Sequence, residues 1–140
     1  MKVNFYLLKQ GTDQARRLLA CRLAEQQVKQ GQRICILTDS ADAAHEVDQL
    51  LWSFTPESFV PHAVAGTEAA AIAPLVICHG TEAPAGTTCI LNLGTEAPLN
   101  QPTLNAIAEF VPNDDASKAR SRARWNLYKQ LGYELQHHQL

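Results

Sequence analysis

A three-layer α/β domain on a mainly parallel sheet is the predicted fold class, and three observations carry the prediction. Four short runs (Val3–Leu8, Arg33–Thr38, Leu75–Cys78 and Thr88–Leu93) are continuously apolar rather than alternating, as strands buried on both faces are. Segments with helical apolar spacing lie between or after them, so strands and helices alternate. The 140 residues, 46% of them hydrophobic, suffice for one core and leave no room for a second. Together these describe a single Rossmann-like domain over residues 1–140.

Val3–Leu8 is the first strand. Thr12 and Asp13 then offer N-cap chemistry for a helix through Gln30, with Ala15, Leu18, Leu19, Leu23, Ala24 and Val28 on one face and Gly31 as its stop. Arg33–Thr38 is the second strand, and Asp39 and Ser40 lead into a helix ending near Trp52. Gly66–Ala73 and Thr81–Gly86 read as loops on either side of the strand Leu75–Cys78. After the strand Thr88–Leu93, Thr103–Glu109 reads as a short helix with Pro102 near its start. Pro112-Asn113-Asp114 opens the last helix, and His137 and His138 sit in a tail expected to fray.

Charge is unevenly placed. Ala116–Gln130 holds five of the twelve basic side chains (Lys118, Arg120, Arg122, Arg124 and Lys129) and no acidic one, which leaves seven basic against fourteen acidic side chains elsewhere. Wound at about 100° per residue, Lys118, Arg122, Trp125 and Lys129 make one stripe. Ala116, Ala119, Ala123, Leu127 and Leu131 then fall on the opposite side, where a core would be. Arg120 and Arg124 border that apolar side and must snorkel or pair. Two readings stand: a solvated face whose tryptophan leans on its neighbours, or a docking site for something both acidic and apolar.

Other chemistry is missing. One glycine follows the first strand, so there is no GxGxxG, and GxxxxGK[ST], GxSxG and HExxH are absent. Asp39 suits a ribose contact or, more simply, a helix cap. Ser58 and His62 lack an acid partner. Cys21, Cys35, Cys78 and Cys89 have no metal-ligand spacing and read as buried thiols of a reducing, cytoplasmic compartment. No catalytic residue, cofactor or metal ligand is expected. No apolar run reaches the ~18 residues of a membrane span. A second constellation, Leu51–His62, gathers Trp52, Phe54 and Phe59 in a segment whose backbone Pro56 and Pro61 restrict, and reads either as a lid on the domain's own core or as an exposed partner patch.

These two segments also carry a resemblance. LW-x4-ESFVPH (Leu51 to His62), followed by Ala65-Gly66 and Ala73-Pro74, is similar to the chi subunit family of bacterial DNA polymerase III. So is FVP-x5-K-x3-R-x5-Y-x3-GY at Phe110, Val111, Pro112, Lys118, Arg122, Tyr128, Gly132 and Tyr133, and so is the opening NFYLL. The resemblance implies a Rossmann-like fold without nucleotide binding and a non-catalytic replication role. It implies one surface for the psi subunit of the clamp loader, at Trp52, Phe54, Phe59, Val60 and Pro61. A separate surface, for the acidic C-terminal tail of single-stranded DNA-binding protein (SSB), is implied at Val111, Lys118, Arg122, Trp125, Lys129 and Gly132. Trp125 stands where the family commonly has tyrosine, Asn126 where it often has lysine, and Ser53-Phe54-Thr55 departs from its pattern. Direct DNA contact is expected to be weak or absent. The rival reading is a small single-stranded nucleic-acid module using the basic helix 116–130. A nucleotide-using enzyme is the third.

Overall fold

A computed structural model describes residues 1–54, 60–80, 83–98 and 103–140. Among the described residues seven strands occur, β1 (Lys2–Leu7), β2 (Ile34–Thr38), β3 (His62–Val64), β4 (Leu75–His79), β5 (Cys89–Asn92), β6 (Ala106–Val111) and β7 (Glu134–Gln139). The helices are α1 (Asp13–Lys29), α2 (Ala41–Ser53) and α3 (Asp115–Gln130). All seven strands join one sheet in the order β3-β4-β2-β5-β6-β1-β7, and every ladder is parallel. Parallel neighbours cannot be joined by tight hairpins, so α1, α2 and α3 serve as crossovers.

Each helix begins where its sequence offers a cap. The backbone N–H groups of Ala15, Ala43 and Ser117 donate to Thr12 Oγ1, Ser40 Oγ and Asp114 Oδ1 at 3.2, 3.1 and 2.8 Å. The continuous apolar runs bury both sheet faces as expected. Ile34, Ile36, Leu75 and Ile77 pack with Ala20 and Ala24 of α1 and Ala44, Val47 and Leu51 of α2. Their alternates Cys35, Leu37, Val76 and Cys78 join the opposite cluster, with Phe5, Ile107, Val111 and Tyr128 of α3. These are the three layers. All four cysteines are buried free thiols, and burial pushes Cys21 up to about 12 and Cys89 up to about 11. No helix among the described residues is long and apolar enough to cross a membrane.

Three expectations are corrected. The segment expected to be a helix, Thr103–Glu109, instead feeds β6, which lies between β5 and β1 with Ile107 through Val111 buried. Pairing on both sides overrides the helical preference of its Ala and Glu residues; Pro102 is outside the described residues. The tail expected to fray is β7, paired with β1 from Lys2↔Glu134 to Leu7↔Gln139. An edge strand needs few apolar residues, which is why ELQHHQ gave no signal. Last, Ala116, Ala119 and Ala123 are exposed, while α3 turns Ser121, Arg124 and Tyr128 inward. The inward face is polar because β6 carries Glu109 beneath it.

Gly132 ends α3 at φ +79°, and its N–H donates to the Lys129 carbonyl at 3.1 Å. Nothing lies within 4 Å of a Cβ built there, so alanine meets only the backbone cost of the left-handed region. Gly132→Ala is expected to lower stability by about 1 kcal/mol, read from the shift in the urea midpoint at unchanged slope.

Candidate functional site

The site is built around α3, whose cations divide between its two flanks. On the outer flank two adjoining depressions form a groove over β1 and β7. One, of about 390 Å³, is lined by Leu7, Leu8, Lys9, Val111, Lys118 and Arg122, among others. The other, of about 300 Å³, is lined by Phe5, Leu7, Ser121, Arg122, Trp125 and His137. Leu7, Ser121 and Arg122 belong to both, so Arg122 stands at the junction. The Trp125 ring lies 5.1 Å from that of Phe5 at 55° and 6.2 Å from that of His137. It is half-buried against the sheet rather than held out on a wet stripe, and it closes the apolar end.

Four of the residues expected on the acidic-tail surface therefore come together: Val111, Lys118, Arg122 and Trp125. Lys129 and Gly132 line neither depression; Lys129 is exposed in the last turn of α3 and Gly132 ends it. Among the described residues, no carboxylate lies within 4.0 Å of Lys9, Lys118, Arg122 or Lys129. The groove is a strip of apolar floor (Phe5, Leu7, Val111) bordered by cations that pair with no described carboxylate. Its chemistry suits an acidic ligand with an apolar or aromatic end. Sequence reasoning missed the contributions of Phe5, Leu7 and Lys9, since only the sheet brings them to α3.

The inner flank is anchored by Glu109, which is 0% exposed. Its Oε2 accepts from the Tyr128 hydroxyl at 2.6 Å and from Asn92 Nδ2 at 3.0 Å, and its Oε1 from Arg124 Nε at 3.1 Å. Burial raises the Glu109 pKa, against the opposing pull of Arg124 and the three hydrogen bonds. Tyr128 is raised by burial and then by the charge of Glu109. Arg124 thus pairs, as its place on the helix required. The network fixes α3 on the sheet and holds its outer flank over β1. Glu109 was legible as an oddity, a lone carboxylate in the apolar run IAEFV.

The second expected surface is on the opposite layer. Trp52 is 58% exposed on α2, and its ring lies 4.8 Å from that of His62 at 60°. His62 Nδ1 is 2.6 Å from the Val60 carbonyl, and Nε2 is 3.2 Å from Asp48 Oδ1. Val60 is buried, Phe54 packs partly against the same core, and Pro61 is exposed. Phe59, with Pro56 and Ser58, lies outside the described residues. Among the described residues no cluster of three or more His, Cys, Asp or Glu side chains is placed to hold a metal ion.

Comparison with known proteins agrees with the two segments. Residues 1–136 match the protein family described as DNA polymerase III chi subunit, HolC. A DNA polymerase III subunit chi from Pseudomonas aeruginosa is 34% identical over 139 residues, covering 99% of this chain and 96% of that protein. Its namesakes from Escherichia coli K12 and Haemophilus influenzae are each 30% identical, covering 94% of this chain and 93% and 92% of theirs. By extent and by identity, this chain belongs to the DNA polymerase III chi subunit family.

Proposed function

We propose that this protein is a non-catalytic, cytoplasmic accessory subunit of the polymerase III holoenzyme. It joins the clamp loader, through psi, to the acidic C-terminal tail of SSB. The observation that carries the reading is the groove beside α3, with Lys9, Lys118 and Arg122 bordering an apolar floor closed by Trp125. The SSB tail, which the family resemblance describes as aspartates and a proline ending in a phenylalanine carboxylate, has matching chemistry. Its carboxylates would pair with the cations while its terminal ring rests near Trp125 and Phe5. A disordered tail loses conformational freedom on docking, so one tail binds weakly and several tails on one SSB assembly bind by avidity.

A labelled tail peptide titrated against the protein tests this reading. Saturable binding that weakens with salt and is lost when the terminal phenylalanine is deleted is the expected result. A tail that binds equally well without that residue would rule the apolar end out. The psi surface is tested separately. Trp52→Ala is expected to weaken psi binding by about 30-fold or more, as truncation of a central aromatic anchor does, with tail binding unchanged. Calorimetry with each partner measures both. Unchanged psi affinity would remove Trp52 from that interface.

A further inference from the structure

We propose that the cleft between the first turn of α1 and the inner flank of α3 binds a phosphate group through Arg16 and Arg120, at a site separate from the groove. The cleft is a cavity of about 240 Å³ with Arg16, Arg120 and Arg124 on its walls. It opens where the chain leaves the carboxyl ends of β2 and β5, at Asp39 and at Gly94-Thr95. From β2 the connection runs to the β3 edge, and from β5 it runs the other way to β6. Loops that diverge in this manner leave a crevice in open α/β sheets.

The charges in the cleft are unequally satisfied. Asp39 Oδ1 accepts from the Thr95 backbone N–H at 2.9 Å and hydroxyl at 3.3 Å. Gly94 permits that closure, since a Cβ there would stand 2.9 Å from the same oxygen. Asp13 Oδ1 reaches Arg16 Nη2 at 3.3 Å, and Glu109 holds Arg124 from behind. Two guanidinium groups keep unanswered donors. Arg16 Nε is buried with no hydrogen-bond acceptor. Among the described residues Arg120 donates only to Ser117 Oγ, at 3.4 Å, and no described carboxylate lies within 4.0 Å of it. Burial lowers the Arg16 pKa, with Arg17 and Arg124 adding to that and Asp13 and Asp39 opposing it. A buried donor without an acceptor is costly, and an oxyanion between α1 and α3 supplies one to both arginines. Phosphate, tetrahedral and more highly charged than a carboxylate, brings more charge and more acceptor oxygens to the two arginines.

The test needs no knowledge of the source of the phosphate. Thermal unfolding is followed against inorganic phosphate, with acetate and chloride at matched ionic strength, for the wild type, Arg120→Gln and the exposed-charge control Arg22→Gln. Phosphate is expected to raise the melting temperature saturably in the wild type and the control and to exceed acetate at equal concentration. Arg120→Gln is expected to weaken the apparent affinity by at least about tenfold. Arg120 is exposed, so this variant should fold. Thymidine monophosphate in place of phosphate separates the sources: tighter binding assigns the site to a nucleotide phosphate, equal binding to the free ion. A response matched by acetate, or undiminished in Arg120→Gln, overturns the proposal.

Discussion

Arg124→Ala will destabilise the fold by about 3–5 kcal/mol near neutral pH, the usual cost of removing one partner from a buried ion pair. The Arg124 and Glu109 side chains are 12% and 1% exposed, so the abandoned carboxylate cannot recover its hydration. The loss depends on pH, and its sign follows from Glu109. Burial already holds this carboxyl above its ordinary value of 4.5, and Arg124 is the first of the opposing influences. Deleting Arg124 raises it further, so the folded state binds a proton more tightly than the unfolded chain. The resulting stability is fully present below the unfolded value and is lost as pH rises through the folded one. Urea denaturation should therefore show a larger deficit at pH 8 than at pH 5. Adding Glu109→Gln to Arg124→Ala should recover much of the deficit at pH 8. A deficit equal at both pH values would mean that lost packing, rather than a stranded charge, sets the cost.

Reversing the charge at the junction of the groove is the second large effect. Arg122→Glu is expected to lower affinity for the acidic SSB tail by about 100-fold at low salt. Charge-assisted hydrogen bonds worth ~1.5–3 kcal/mol are lost, and repulsion is added. Arg122 is exposed and makes no ion pair with a described residue, so the unfolding midpoint should stay close to wild type. Fluorescence anisotropy with the tail peptide and with a bare single-stranded oligonucleotide, side by side, gives the answer. Peptide binding that survives the reversal would remove Arg122 from the site. Tight oligonucleotide binding that falls with Arg122→Glu, without any peptide binding, would favour the nucleic-acid module instead.

The sequence made some of this architecture legible and concealed the rest for physical reasons. The strands β1, β2, β4 and β5 are short, mostly apolar runs, and their length suits a buried strand better than a helix. β6 escaped because Ala106, Ala108 and Glu109 favour helix locally, while only its neighbours in the sheet could show that Glu109 has three partners. β7 escaped because an edge strand's exposed residues carry no core pattern. The existence of α3 was written in Asp114 and its basic run, yet its inward face was misassigned. Alanines bury little surface, and the larger Tyr128 decides the orientation once Glu109 can receive its hydroxyl. The cations Lys118 and Arg122 could be paired from their spacing alone. The floor beneath them, Phe5 and Leu7, is more than a hundred residues away and had to wait for the fold.

The position of β1 has a consequence for biosynthesis. It leaves the ribosome well before its sheet partners, since its ladders are with residues 106–111 and 134–139. At about 5–20 residues per second, the nascent chain carries β1 without a sheet partner for roughly 5–20 seconds. Phe5, Tyr6 and Leu7 are then an adhesive segment looking for any edge, and β5, reached earlier, also waits for β6. The half-sheet of β2, β3, β4 and β5 can assemble on α1 and α2 in the meantime. The groove beside α3, with β1 in its floor and residues of β7 in its lining, is not complete until β7 has emerged.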